Sequence, residues 1–215
     1  MRSKRTDDAS RRDQLIRASA KLFRENGFDG TSVRDIAAAT GMQSGSWVYH
    51  FPTKQDILAA VMEEGLSRAL ARIEAIAAQD LAPREKFRAL VRTHLENLLG
   101  PGQDFIPVLL YDWRSLEASQ RRRVIAPQKR YEQVWTDVIT ELQASGDWAL
   151  PTRVDRLLMF GALNWIAHWY RGGGELSLDQ LTDECVRFFL RTPGPKRPTE
   201  TRSPRKRVAR RPGRR

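Results

Sequence analysis

Apolar residues recur every three to four positions along most of the chain, in runs that glycine and proline interrupt. The clearest run extends from Tyr131 to Leu142, with apolar side chains at i, i+3, i+4, i+7, i+8 and i+11. Weaker runs of the same period occupy 12–26, 54–79, 83–99, 153–171 and 177–191. No run shows the alternation that is typical of strands. The periodicity therefore predicts an all-α protein.

Two short helices are predicted near the N-terminus, at about 33–39 and 43–50. Gly41 separates them, and Pro52 closes the second. Two short helices that meet at a glycine turn have the dimensions of a helix-turn-helix. In that motif the second helix lies in the major groove of DNA, with its first residues near the base edges.

The residues of the second short helix have chemistry that suits DNA. Side chains with short polar ends face the bases in this interpretation, namely Gln43, Ser44 and Ser46. A glutamine can form two hydrogen bonds with the edge of an adenine. Donors that suit phosphate contacts follow at Tyr49, His50 and Lys54.

The positive charge of the chain is concentrated at its two ends. Residues 193–215 have a net charge of +9 and residues 1–54 of +4, whereas residues 55–192 have −2. Basic ends on a nearly neutral body indicate a polyanionic partner such as nucleic acid, although charge alone is equally compatible with a role in solubility. The basic segment 193–215 contains Val208 as its only large aliphatic residue, so we expect it to be a disordered tail.

Several functional classes are disfavoured by the sequence. No apolar run reaches the roughly 18 residues of a membrane span, and the charged start of the chain does not resemble a secretory signal, so we expect a cytoplasmic protein. Cys185 is the single cysteine, and His50, His94 and His168 are far apart, which predicts no metal site and no cofactor. No nucleophile signature is present, so we expect no enzyme.

The segment from Arg12 to Met62 resembles the N-terminal domain of TetR-family transcriptional regulators. The similarity rests on the stretches LFRENGF at 22–28, TSVRDIA at 31–37 and YHFPTK at 49–54. It implies a three-helix helix-turn-helix domain followed by a six-helix domain for ligand binding and dimerisation. Together with Thr31, Ser32, Arg34 and Trp47, the polar residues of the second short helix form the predicted DNA-binding set.

The chain departs from the family pattern at Trp47 and Val48, where relatives usually have a small aliphatic residue and then an aromatic one. Two arrangements follow from this departure. Trp47 fills the core while Tyr49 contacts phosphate, or the helix is rotated so that Val48 packs inward.

The resemblance also implies a ligand cavity in the middle of the chain. Candidate lining residues are His94, Tyr111, Trp113, Trp135, Asn164 and Trp165. The segments around Asn164, Trp169 and Phe189 resemble a subgroup linked to fatty-acid and sterol catabolism whose members sense coenzyme A thioesters. The helix at 153–171 is apolar on nearly every face, which predicts a dimer interface with Trp165, Trp169, Phe188 and Phe189.

The predicted organisation is a basic flexible arm at 1–11, a helix-turn-helix domain at 12–54, a ligand and dimerisation domain at 55–192 and the basic tail at 193–215. The family resemblance implies a cytoplasmic homodimer that represses transcription from a near-palindromic operator and is released by a small effector, an acyl- or sterol-derived thioester in the subgroup. Two other functions are considered: a basic architectural protein that coats DNA without sequence choice, and a small helical enzyme.

Overall fold

The computed structural model describes residues 2–43, 45–100, 103–148 and 153–190. Within these ranges the chain forms eight α-helices and two 3-10 helices and no strand, which confirms the all-α prediction. Ser44 and the basic tail lie outside the described residues. In chain order, the elements are α1 Arg2–Gly30, α2 Val33–Ala39, a 3-10 helix Ser46–Tyr49, α3 Lys54–Ala77, α4 Pro83–Leu99, α5 Phe105–Asp112, a 3-10 helix Trp113–Ser115, α6 Ala118–Ala144, α7 Arg153–Trp169 and α8 Leu178–Phe189.

Local signals set several helix starts. Ser32 and Asp35 form a capping box at α2, and Ser177 and Gln180 form one at α8. Pro83 is the first residue of α4, where its missing N–H costs no helical hydrogen bond. These caps explain why the helices begin where the sequence predicts them.

Helix α1 is interrupted at Gly27, whose φ of +73° is non-helical. Glycine adopts this left-handed region without the steric penalty of a side chain, so the regular helix ends where the sequence predicts a stop. At its other end α1 begins at Arg2 and includes most of the segment 1–11, for which we expected a flexible arm.

Two apolar cores lie along the molecule. The first contains side chains of α1, α2, the first half of α3 and α5, with Phe23, Ile36 and Leu58 among its fully buried members. The second contains the rest of α3 together with α4, α6, α7 and α8 around Trp135. Helix α3 contributes to both cores, so it joins the N-terminal helices rigidly to the bundle that follows.

The described residues contain neither a membrane span nor a metal cluster. None of their helices combines the length and the apolarity that crossing a bilayer requires. They also bring no three His, Cys, Asp or Glu side chains together as potential metal ligands. Burial raises the pKa of the Cys185 thiol to about 11, which keeps it protonated and poorly nucleophilic at neutral pH.

Candidate DNA interface and inner cavity

The segment after α2 forms a turn that depends on two glycines. Gly41 has φ +64° and Gly45 has φ +103°, both in the left-handed region. The prediction of a helix over 43–50 is therefore corrected: a residue at φ +103° cannot continue an α-helix, and only the 3-10 turn Ser46–Tyr49 forms before His50 and Pro52. We refer to residues 43–50 as the recognition segment.

Polar side chains of the recognition segment are open to solvent. Gln43 and Ser46 are exposed, and Tyr49 is 79% exposed. The Ser46 hydroxyl donates to the Gln43 carbonyl at 2.9 Å, which holds the backbone of the turn and leaves the Gln43 amide unengaged by this bond. Arg34 is exposed at the start of α2. These exposed polar side chains are accessible to a partner such as DNA.

The structure resolves the two arrangements for Trp47. Its side chain is partly buried and packs against the N-terminal core, whereas Val48 is about half exposed. Trp47 therefore contributes to the core, as in the first arrangement, and the phosphate contact of Tyr49 stays a prediction. The predicted role of Trp47 as a DNA contact is not supported, because its ring faces the protein.

Thr31 and Ser32 have structural roles in the turn between α1 and α2. Thr31 is buried, and its hydroxyl donates to the carbonyl of Gly27 at 2.9 Å or of Leu22 at 3.2 Å. The prediction that Thr31 binds DNA is corrected, since its hydroxyl is enclosed by the chain. Ser32 is exposed and caps α2, and its hydroxyl donates to Asp35 at 2.7 Å, which lowers the pKa of that carboxyl.

The last two predicted phosphate contacts differ in their surroundings. His50 is half-buried and lies edge-on to the Tyr49 ring at 5.3 Å. The Lys54 ammonium lies 4.0 Å above the centre of the Phe28 ring, a cation–π contact that draws it toward the protein. Lys54 therefore helps to join α3 to the end of α1, and the exposed Tyr49 is the better placed of the three for phosphate.

A cavity of about 360 Å³ lies between α3, α4, α5, α6 and α7. Most of its wall is apolar, formed by Leu66, Ala69, Ile106, Leu109, Leu110, Trp113, Leu157 and Phe160. Its polar residues are His94, Asn97, Gln128, Tyr131, Glu132, Arg156 and Asn164. A mainly apolar wall with a few polar groups is typical of sites that bind small organic molecules.

His94 is held between two side chains at the cavity. Its Nδ1 lies 3.0 Å from the Tyr131 hydroxyl and its Nε2 lies 3.0 Å from Asn164 Oδ1. An amide oxygen only accepts, so Nε2 carries the proton and Nδ1 accepts from the phenol. Burial lowers the pKa of His94 to about 4 and raises the pKa of Tyr131 to about 12. Both groups are thus neutral at pH 7, and both nitrogens of His94 already have partners.

The structure places three of the predicted ligand residues at the cavity and three elsewhere. His94, Trp113 and Asn164 line it. Tyr111 is exposed and contacts the ring of His168, Trp135 is fully buried in the core beside the cavity, and Trp165 is exposed on the outside of α7. Their assignment to the cavity is therefore corrected.

Five polar lining residues were not predicted from the sequence: Asn97, Gln128, Tyr131, Glu132 and Arg156. Two of them, Asn97 and Arg156, could have been found. Asn97 follows His94 by three positions and Arg156 precedes Asn164 by eight, so each lies on the same helix face as a predicted residue. Helical spacing from His94 and Asn164 is the signal that identifies them.

The cavity is connected to the helix-turn-helix by α5. Leu109 and Trp113 line the cavity, while Asp112 accepts a hydrogen bond from the Phe28 backbone N–H at 3.2 Å. Burial raises the pKa of Asp112, and the bond from Phe28 opposes this rise. At the start of α5, Arg24 of α1 pairs with Asp104 at 2.8 Å. A change in the cavity wall can thus reach the base of the DNA-binding unit through one helix.

An apolar face covers the outside of α7 and the end of α8. Its large members are exposed at spacings of three, four and seven along α7, with one more on α8: Val154, Leu157, Leu158, Trp165, Trp169 and Phe188. Phe188 is 73% exposed, whereas the neighbouring Phe189 is partly buried in the second core. We call this set the α7–α8 face. An exposed apolar surface of this kind marks an interaction site.

Models of known protein families match both parts of the chain. Residues 15–61 match the family model described as bacterial regulatory proteins, tetR family. Residues 80–192 match the model described as tetracyclin repressor-like, C-terminal domain, which by itself covers more than half of the chain. The chain belongs to the TetR family. Its helix-turn-helix and its helical second domain are those of a transcriptional regulator of this family.

Individual proteins and solved structures are similar over most of the chain. The HTH-type transcriptional repressor KstR2 of Mycolicibacterium smegmatis is 28% identical over 187 residues, which cover 85% of this chain and 90% of the relative. The crystal structure of superantigen PfiT has 38% identity and a TM-score of 0.74, covering 83% of this chain and 95% of that one. AibR, solved in complex with isovaleryl coenzyme A and operator DNA, shares the fold with a TM-score of 0.75 at 23% identity, covering 83% and 97%.

Proposed function

We propose that the protein is a homodimeric cytoplasmic repressor that binds a near-palindromic operator and leaves it when a small ligand occupies the cavity. The observation that carries this proposal is the position of α5. Its side chains line the cavity, and Asp112 at its end accepts a hydrogen bond from the Phe28 backbone N–H at the end of α1. A ligand that binds better to the arrangement incompatible with DNA shifts the population away from the operator complex.

Dimerisation is supported by the α7–α8 face. Six large apolar side chains are exposed there, whereas elsewhere in the described part of the bundle Tyr111 is the one exposed large apolar residue. A second copy of the same face covers it by two-fold symmetry, as in most homodimers. Two recognition segments then address half-sites about 34 Å apart, one helical turn of DNA, which explains a near-palindromic operator.

An acyl group, delivered as a coenzyme A thioester or a sterol-derived thioester, is the proposed ligand. Similarity to KstR2 and the common fold with AibR, which was solved with isovaleryl coenzyme A, support this class. The apolar wall of the cavity suits a hydrocarbon chain or ring system, and its polar residues can orient the carbonyl end.

The operator and the ligand can be tested in one series of measurements. Footprinting on the DNA beside the protein's own gene is expected to show a protected, near-palindromic site. Acyl-coenzyme A thioesters, free fatty acids and aromatic acids are then compared for release of that site. Release by aromatic acids alone would reject the thioester and retain the cavity. Binding that disappears in moderate salt with no protected site would favour the architectural protein, since nonspecific phosphate contacts weaken steeply with salt.

The dimer interface is tested by Gly161→Leu. Gly161 is exposed on α7 within the apolar face, and no other part of the described chain lies within 4 Å of where its Cβ would be. The protomer should therefore tolerate leucine, which also favours a helix by up to about 1 kcal/mol over glycine. We expect loss of the dimer by analytical ultracentrifugation with unchanged circular dichroism. Ala71→Leu, at an exposed position of α3, is the control. A dimer of normal affinity in Gly161→Leu would contradict this interface.

A further inference from the structure

Two hydrogen-bond donors of cavity-lining residues are buried without a partner. Arg72 donates to Oδ1 of Asn97, and because a guanidinium has no acceptor, this contact fixes the orientation of the amide. Nδ2 of Asn97 then has no acceptor in the described part of the chain, and neither has Nε of Arg156. Buried donors are almost always paired in folded proteins, so two exceptions beside one cavity require an explanation.

Among the buried side-chain N and O atoms of the described lining residues, these two are the only ones without a partner. His94 has partners on both nitrogens, and Gln128 donates to Glu132 at 3.1 Å. The described groups that remain without partners are thus both N–H donors. A ligand that completes this set brings acceptors rather than donors.

We infer that the cavity binds an apolar group whose polar end is a carbonyl or carboxylate oxygen, which accepts hydrogen bonds from Asn97 Nδ2 and Arg156 Nε. This inference rests on the proposed function and specifies how its ligand is recognised. The apolar wall contacts the hydrocarbon part, and the two donors form hydrogen bonds with the oxygen end. An amine or a plain hydrocarbon leaves both donors unsatisfied.

The size and charge of the cavity limit what it encloses. Its volume of about 360 Å³ is near the lower end of the roughly 300–1,000 Å³ typical of ligand pockets. Arg156 is the only cation among the described lining residues, and Glu132 balances its charge. The three phosphates and the adenosine of coenzyme A have no counterpart there. A thioester would therefore place its acyl group and carbonyl inside and the rest of coenzyme A outside, whereas a free acid would enter whole.

Two variants remove the donors while keeping most of the volume of each side chain. Asn97→Asp keeps the oxygen that accepts from Arg72 and replaces the NH₂ group with an oxygen that cannot donate when ionised. Arg156→Met keeps an apolar stem and removes the guanidinium. The matched controls are Asn26→Asp, exposed on α1, and Arg153→Met, exposed on α7. Circular dichroism confirms that each variant is folded.

Binding is measured without DNA, by tryptophan fluorescence of the full chain, because Trp113 lines the cavity. The probes are decanoate, decanoyl-coenzyme A and decylamine. We expect the wild-type protein to bind decanoate or decanoyl-coenzyme A more tightly than decylamine. Asn97→Asp and Arg156→Met should each lower the affinity for the oxygen-bearing probe by about tenfold, in the range expected for removal of one hydrogen bond. Asn97→Asp should bind decylamine at least as well as the wild-type protein does.

The relative affinities of decanoate and decanoyl-coenzyme A identify which source of the oxygen is used, and preference for either supports the inference. Equal affinity of all three probes, no binding of any, or unchanged affinities in both variants would overturn it. The proposed function fails separately, if the protein protects no operator or if no ligand releases it. If a ligand releases the operator but binds both variants as tightly as the wild-type protein, the inference is overturned and the proposed function stands.

Discussion

At the scale of single residues, the exposed side chains of the recognition segment differ in the DNA contacts that we expect of them. Gln43 is exposed with an amide that can pair with a base edge, whereas Tyr49 offers a single hydroxyl at the outermost position of the turn. Trp47 between them is partly buried and packs on the core. The division of roles follows from burial, because only the exposed groups can reach DNA.

Replacing Gln43 with alanine should remove discrimination at particular operator positions. The expected loss is about 1–3 kcal/mol at those positions if two hydrogen bonds are removed, with little change at others. Tyr49→Phe serves as the comparison, since removing a hydroxyl that contacts phosphate should weaken binding to all sequences by a similar factor. Fluorescence anisotropy on the operator and on singly substituted operators measures both. Uniform losses for Gln43→Ala would show that Gln43 does not contact a base edge.

His94 should make stability depend on pH in a defined window. Its pKa is about 4 in the folded state and about 6.5 in an unfolded chain, so between these values the unfolded chain binds more protons. The free energy of unfolding should therefore fall by about 3 kcal/mol as the pH decreases from 6.5 to 4, and this contribution is constant above pH 6.5. Urea denaturation across this range tests the prediction. His94→Gln should lose this part of the slope, and an unchanged slope would exclude His94 as its source.

At the scale of elements, α5 connects the cavity to the DNA-binding unit through carboxylates at its two ends. Asp112 accepts from a partly buried backbone N–H, and Asp104 pairs with Arg24 near the surface. A backbone donor that loses its acceptor inside the protein is costly, whereas an exposed ion pair contributes little. The two ends of α5 therefore differ in how firmly they hold α1.

The two carboxylates can be compared directly by alanine substitution. We expect Asp112→Ala to lower the free energy of unfolding by about 1–3 kcal/mol, because the Phe28 N–H is left without its acceptor. Asp104→Ala should lower it by less than about 1 kcal/mol. Asp112→Asn retains an oxygen acceptor and should recover most of the loss. Chemical denaturation of the four proteins measures this order, and equal effects of the two alanine variants would contradict it.

At the scale of the whole molecule, most of the net positive charge lies outside the described helices. The described helices form a bundle with a nearly balanced charge, whereas ten of the 37 basic residues lie in the last 23 positions. That segment lies outside the described residues, and its effect can be predicted from charge alone. Cations near DNA release counterions from phosphates and add affinity without reading sequence.

Deletion of 193–215 should weaken binding to operator DNA and to random DNA by similar factors at low salt. The slope of log K against log salt should become shallower by about 0.9 for every phosphate that the truncated protein no longer neutralises. The difference between full-length and truncated protein should shrink as salt rises, because screening shortens the reach of exposed charges. The dimer and the melting temperature should change little, since this segment has one large aliphatic residue to bury. Equal salt slopes on random duplex would assign the segment to solubility instead.

The helical class, most helix boundaries and the place of the helix-turn-helix were predictable from the sequence. These depend on local physics: the 3.6-residue period places apolar side chains on one face, and caps such as Ser32 and breaks such as Gly27 act within one turn. The start of α4 at Pro83 and the span Val33–Ala39 of α2 were predictable for this reason. The family resemblance also carried the expectation of a cavity, but not its lining.

Packing between segments distant in the chain sets which side chains face the core, the cavity or solvent. Thr31 and Gln43 are both polar residues near the turn, yet packing of α1 against α2 buries the first and leaves the second exposed. Trp135 and Trp165 both lie on apolar helices, and their fates differ because α6 is surrounded by other helices while one face of α7 is uncovered. Asn97 and Arg156, about 60 residues apart, come to line one cavity only because α4 and α7 enclose the same space. Such relations depend on distances between segments far apart in the chain, which no local pattern specifies.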